Sequence, residues 1–185
     1  MDPAIWIIIG IPAFVLILIW AMYNGLVKLR YQCRESWADV DTELKRRYDL
    51  IPNLVETVKG YAKHEREVLE EVARLRSTAL ASAGSPASQA VDENKLIQAL
   101  RQLLVVVERY PDLKADRHFL ELQGELANTE DRIQAARRFY NANVRDYNVR
   151  VEQFPSNFIA GAFSFKSEEF FEIERVEAAA PQVKV

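Results

Sequence analysis

Hydrophobic and polar positions divide this chain into two regimes. From Ala4 to Tyr23 the sequence AIWIIIGIPAFVLILIWAMY is apolar on every side, and no charged residue falls between Asp2 and Lys28. From Leu26 onward, apolar residues fall at steps of three and four. They run through Leu26, Leu29, Cys33, Trp37, Val40 and Leu44, then Ile51, Leu54, Val58 and Ala62, and resume at Val68, Leu69, Val72 and Leu75. That spacing is one stripe of an amphipathic helix, with Glu35, Asp39, Glu43 and Lys45 on its charged face. A second stripe is more regular: Phe119, Leu122, Leu126, Thr129, Ile133, Ala136, Tyr140, Val144, Tyr147, Val151 and Phe154. A stripe this long resembles a coiled-coil seam and needs a partner of equal length. The stripe that starts at Leu26 is the matching one.

These patterns predict an all-α protein. A single transmembrane helix (residues 1–25) continues into an antiparallel bundle of three to four helices (26–154), followed by an irregular Phe-rich segment and tail (155–185). The first long helix is expected to reach about Ala79, kinked rather than broken at Pro52. Pro52 removes an amide donor and crowds the carbonyl of Tyr48. The alternative is a fresh helix start capped by Asp49, with Pro52 in its first turn. Gly60 is a second place for a bend. Residues 77–91, STALASAGSPASQAV, read as a turn. A shorter helix follows from Asp92 to Arg109, and Tyr110-Pro111 ends it. Phe154-Pro155 stops the last helix. Six of the nine Phe residues lie between Phe154 and Phe171. Such a segment must fold over the bundle, dock on another subunit, or lie on a membrane surface. The final AAAPQVKV reads as a disordered tail.

The twenty residues from Ala4 to Tyr23 would span about 30 Å as a helix, the thickness of a hydrocarbon core. Eleven of them are Ile, Leu, Val or Phe. Together these favour insertion by about 3 to 7 kcal/mol before penalties. Gly10 and Pro12 are tolerated in such helices, and Trp6, Trp20 and Tyr23 lie near the two ends, where amphipathic rings prefer the interface. A cleaved signal peptide fits poorly: no Lys or Arg precedes the run, and no small-x-small site follows it. Lys28, Arg30 and Arg34 follow the span, then Lys45, Arg46 and Arg47, whereas only Asp2 and the amino terminus precede it. This asymmetry predicts an inner-membrane, single-pass protein with its N-terminus outside and its bundle in the cytoplasm.

The net charge of −3 and the absence of a basic stripe argue against a nucleic-acid partner. Cys33 is the single cysteine, so no intrachain disulfide is available. His64-Glu65 lacks the second histidine of a zinc protease motif, and His118 is the other histidine of the chain. No catalytic, cofactor or metal site is expected.

Five segments carry a resemblance: YNGLVKLR (Tyr23–Arg30), RRYDLIPNLVETVKGYAKHE (Arg46–Glu65), YPDLKA (Tyr110–Ala115), RRFYNANVRDYN (Arg137–Asn148) and FPSNFIAGAF (Phe154–Phe163). In this order they resemble the LemA family of bacterial membrane proteins, over Tyr23 to Phe171. The resemblance implies a membrane anchor and a helical soluble domain, and supplies no enzymatic activity.

Within these blocks, Arg46, Arg47, Tyr48, Asp49, Pro52 and Asn53 form a charged cluster beside a proline. It reads either as an interaction epitope or anion site, or as a network serving backbone groups freed at the kink. Tyr140-Asn141 and Tyr147-Asn148 repeat after seven residues. They read as a polar layer that fixes helix register, or as the wall of a small-molecule pocket within the bundle. Phe154, Phe158, Phe163 and Phe165 are candidate subunit contacts. The functional expectation is a non-enzymatic membrane scaffold that self-assembles into homo-oligomers, in contact with membrane lipid and with other membrane proteins. The alternative is a membrane-tethered adaptor or signalling module that binds one protein through its bundle.

Overall fold

The computed structural model describes residues 3–174, with side chains from Ile9 onward; the AAAPQVKV tail lies outside the described residues. Among the described residues six helices follow one another: α1 (Pro3–Tyr61), α2 (Arg66–Ala81), α3 (Pro86–Val107), α4 (Pro111–Lys114), α5 (Arg117–Glu152) and α6 (Ser156–Ala162). No strand occurs among the described residues. α1 pairs with α5 in opposite directions: Tyr61 meets Asp116, Arg47 meets Glu130, and Asn143 meets Gln32. α2 folds back along α1, and α3 returns beside α2, so the distal half is a four-helix bundle. The core holds the α1 stripe from Leu26 to Ala62 and the α5 stripe from Phe119 to Tyr147. Below the bundle, α1 continues as an apolar span whose large side chains, including Leu16, Ile17 and Trp20, are exposed. This is the surface a lipid-facing helix requires.

The structure corrects several expectations. The helix expected to reach Ala79 ends at Tyr61, and the chain reverses through Ala62–Glu65. Its apolar stripe keeps phase across the reversal because α1 and α2 bury their stripes in the same core, so periodicity alone misses the turn. Gly60 and the polar Lys63-His64-Glu65 mark it. The turn expected over 77–91 shrinks to residues 82–85. Ser85 caps α3 by accepting the Ser88 amide, with Pro86 in the first turn. The small residues around this cap suggest a loop by composition, although alanines and serines also fit a helix. The segment after Pro111 forms the short α4, and residues 156–162 of the Phe-rich segment form α6.

α1 runs unbroken through Pro52, and Asp49 is an exposed mid-helix residue, not a cap. Proline at 52 leaves the Tyr48 carbonyl without its helical donor. Arg76 of α2 supplies one: its Nε donates to Tyr48 O at 2.6 Å. The proline is therefore tolerated because a side chain from the next helix replaces the missing amide.

Beyond α5 the chain covers the membrane-proximal half of the α1–α5 pair. Ser164, with φ of 57°, ends α6, and the Phe165 amide reaches back to Ala160 O at 2.9 Å. Residues 165–174, in neither helix nor strand, then run along the helix pair as a strap, bonded in turn by Asn148, Asn141 and Gln134. Phe165, Phe171 and Ile173 point into the core, and Phe171 meets Trp37 edge-on with centroids 5.2 Å apart.

Arg76→Leu should lower stability by about 1 to 2 kcal/mol in a thermal melt, since it strands a half-buried carbonyl. Pro52→Ala should suppress that loss by restoring the backbone donor. Equal losses with and without the Pro52→Ala change would refute the pairing.

Candidate functional site

The sequence-predicted cluster at 46–53 splits in two. Arg46, Asp49, Pro52 and Asn53 are exposed, whereas Arg47 and Tyr48 are buried. Successive helical residues point about 100° apart, so neighbours in sequence need not share a face. Arg46, Asp49 and Asn53 line an open groove of about 760 Å³ between α1 and α5, with Glu125 and Arg132 opposite.

Arg47, 0% exposed, is the centre of a node joining three helices. Its guanidinium pairs with Glu130 of α5 at 2.9 Å and with Glu93 of α3. The second oxygen of Glu93 accepts the Tyr48 hydroxyl, and the second oxygen of Glu130 accepts Gln134 Nε2 at 3.0 Å. Burial, reinforced by Glu93, pushes the Tyr48 hydroxyl above the ordinary phenol range and keeps it a donor. All four carboxylate oxygens thus have partners, which an ion cluster out of water requires. The expectation that Arg46 and Arg47 serve freed backbone carbonyls is corrected: Arg76 does so, and Arg47 holds carboxylates. Sequence reasoning missed Glu93, Glu130, Gln134 and Arg76. A signal existed, since Glu93 stands one turn before Leu96 and Glu130 one turn before Ile133, at stripe positions where a charge is out of place.

The second constellation is on the lower half of α5. Gln134, Asn141 and Asn148 are spaced by seven residues and address the strap at every third residue. Asn148 accepts the Glu168 amide at 2.8 Å and donates to its carbonyl at 2.9 Å. Asn141 does the same to Phe171, at 2.9 and 3.0 Å. Gln134 donates to Glu174 O at 3.2 Å. Seven helical residues rise about 10.5 Å, and three extended residues cover about 10 Å, so the two repeats match. Asn94 of α3 and Arg137 add bonds to Glu172, Glu174 and Ile173. The amides stand in for a neighbouring β-strand at Glu168, Phe171 and Glu174, where they bond the strap's backbone.

The two tyrosines differ from expectation. The Tyr140 hydroxyl donates to Glu169 O at 2.8 Å, in the strap and not in a helix. The Tyr147 hydroxyl is buried without a hydrogen-bond partner among the described residues. The 140–148 repeat therefore holds the strap against α5 in place of the expected helix-to-helix polar layer. Near the strap, Cys33 is buried, and burial pushes its thiol up to about 11.

Of the four phenylalanines, Phe165 is buried in its own chain, between Tyr23 and Arg30. That takes it out of the expected subunit contact, because the reversal at Ser164 turns it inward. Phe154, Phe158 and Phe163 are exposed. His64 and His118 are exposed as well. Among the described residues no group of three or more His, Cys, Asp or Glu side chains is placed to hold a metal.

A four-helix bundle closed by a C-terminal strap and carried on one apolar helix defines a membrane-anchored helical-bundle protein. The LemA family model matches residues 36–185, and the chain belongs to the LemA family. Its relatives include magnetosome protein MamQ 2 of Paramagnetospirillum magneticum, 25% identical over 89% of this chain and 70% of that protein. MamQ of Magnetospirillum gryphiswaldense is 24% identical, over 89% and 69%. Protein LemA of Metamycoplasma hominis is 26% identical, over 87% and 75%.

Arg47→Met should cost about 3 to 5 kcal/mol by leaving two buried carboxylates without a cation. Adding Glu93→Gln and Glu130→Gln should recover part of that loss in the same melt. A single variant as stable as wild type would show that the node is not buried. Separately, Asn141→Ala should speed hydrogen exchange across 168–174 by about five- to tenfold while α5 amides keep their protection. Unchanged exchange at Phe171 would sink the ladder.

Proposed function

We propose that this protein is a non-enzymatic scaffold that self-associates at the membrane, with its bundle on the cytoplasmic side. The observation that carries this reading is the exposed apolar surface of the helices standing clear of the apolar span. Phe139, 59% exposed on α5, is accompanied by Tyr31 on α1, Val91 and Val105 on α3, and Leu120 on α5. Rings left in water along a rigid helix pair favour burial against a second copy. Lys28, Arg30 and Arg34, close after the span, support retention of the bundle in the cytoplasm.

An adaptor is the second reading. The exposed groove carrying Arg46, Asp49, Asn53 and Arg132 supports it, because its charges could meet a complementary partner. Arg46→Ala with Arg132→Ala would test that reading without disturbing the buried node.

Mass measurement of the full chain in nanodiscs should give multiples of 21.3 kDa. Phe139→Ser should shift the distribution toward monomer at unchanged helix content. A strict monomer at every concentration would overturn self-association.

A further inference from the structure

We propose that the Phe154–Phe163 segment is a second membrane contact, an interfacial wedge that seats in the acyl–headgroup boundary of an anionic phospholipid bilayer. The inference rests on α1 spanning the membrane and is independent of self-association.

The depth of the segment follows from its contacts. Tyr23 closes the apolar run, which places it at the bilayer surface. Phe163 stacks edge-on against Tyr23, with centroids 4.9 Å apart. The far end of the segment reaches deeper. A groove of about 820 Å³ is walled by Leu18 and Met22 of α1 on one side and by Gln153 and Ser156 on the other. Leu18 lies five residues before Tyr23, about 7.5 Å further into the bilayer. That depth is where amphipathic interfacial helices bury their apolar faces.

The side chains of α6 are arranged for such a site. Its small residues, Ser156 and Ala160, face the protein. Ser156 Oγ is held there by donating to Arg150 O at 2.6 Å. The large apolar residues point away: Phe154 is 77% exposed, Phe158 68% and Phe163 53%. Phe154 and Phe158 pack edge-on against each other, with centroids 6.0 Å apart. In water this arrangement would be unfavourable. Continuous with the exposed apolar face of α1, it extends the lipid-facing surface.

Charge selects the lipid. The upper rim of the groove carries Lys28, Arg145 and Arg150 against the single carboxylate of Asp146. All three cations are exposed, above an apolar floor. A phosphate at that level would meet them while its acyl chain lies along Leu18 and Met22, and a net negative headgroup gains more than a zwitterionic one.

The test uses the full chain in nanodiscs of mixed phosphatidylglycerol and phosphatidylcholine, with a benzoyl-phenylalanine crosslinker in place of Phe158. Illumination should yield a lipid adduct at least about fivefold more often than the same crosslinker at Leu120, far out on α5. An adduct to a second copy of the chain, or equal yields at the two positions, would overturn the proposal. In native mass spectra, Arg145→Glu with Arg150→Glu should reduce retained phosphatidylglycerol and leave phosphatidylcholine unchanged. Unchanged retention of both would remove the headgroup site. The masses recorded in the same spectra report self-association separately, so either reading can fail alone.

Discussion

Two helices that share one continuous apolar seam must have that seam covered along its whole length. Here the seam is the pairing of α1 with α5. α5 has 36 residues, but the covering helices α2 and α3 have only 16 and 22. In length that is about 54 Å against about 24 and 33 Å. The helical cover therefore runs out before the seam does. The strap from Phe165 to Glu174 supplies the remainder, with Phe165, Phe171 and Ile173 as its buried contacts.

An extended segment laid on helices has no neighbouring strand, so its backbone donors and acceptors need side chains. The amides at 134, 141 and 148 meet that need because a heptad on a helix and a three-residue step of extended chain have nearly the same rise. At its upper end the strap reaches the charge node: Gln134 donates both to Glu174 O and to Glu130. The node fixes how α1, α3 and α5 align. A shift by one turn would separate Arg47 from Glu93 and Glu130 and leave charges buried without partners. At its lower end the strap begins beside Tyr23, the last residue of the apolar run.

The helical class, the apolar anchor and the antiparallel pairing of the two longest stripes were legible in the sequence, because each rests on periodicity or length. The reversal at Ala62 was not, since a stripe that stays in phase is the same for one helix or for two. Pro52 announced a backbone carbonyl in need of a donor, but Arg76, the donor, comes from another helix, and no local pattern names it. The Tyr-Asn repeat marked the right residues. Its target was hidden because the strap lacks helical period and lies 20 to 30 residues further along the chain. Glu93 and Glu130 were legible only as charges at apolar stripe positions.

The strap covers the membrane-proximal seam, and Cys33, buried close enough to the strap to feel the charge of Glu168, is a native reporter of that cover. The decisive measurement is the alkylation rate of Cys33 in the folded full chain, compared with a chain ended after Ser164. The thiol should be nearly silent in the intact protein and readily modified once the strap is gone. Rapid alkylation of the intact protein, or equal rates in the two chains, would contradict that cover.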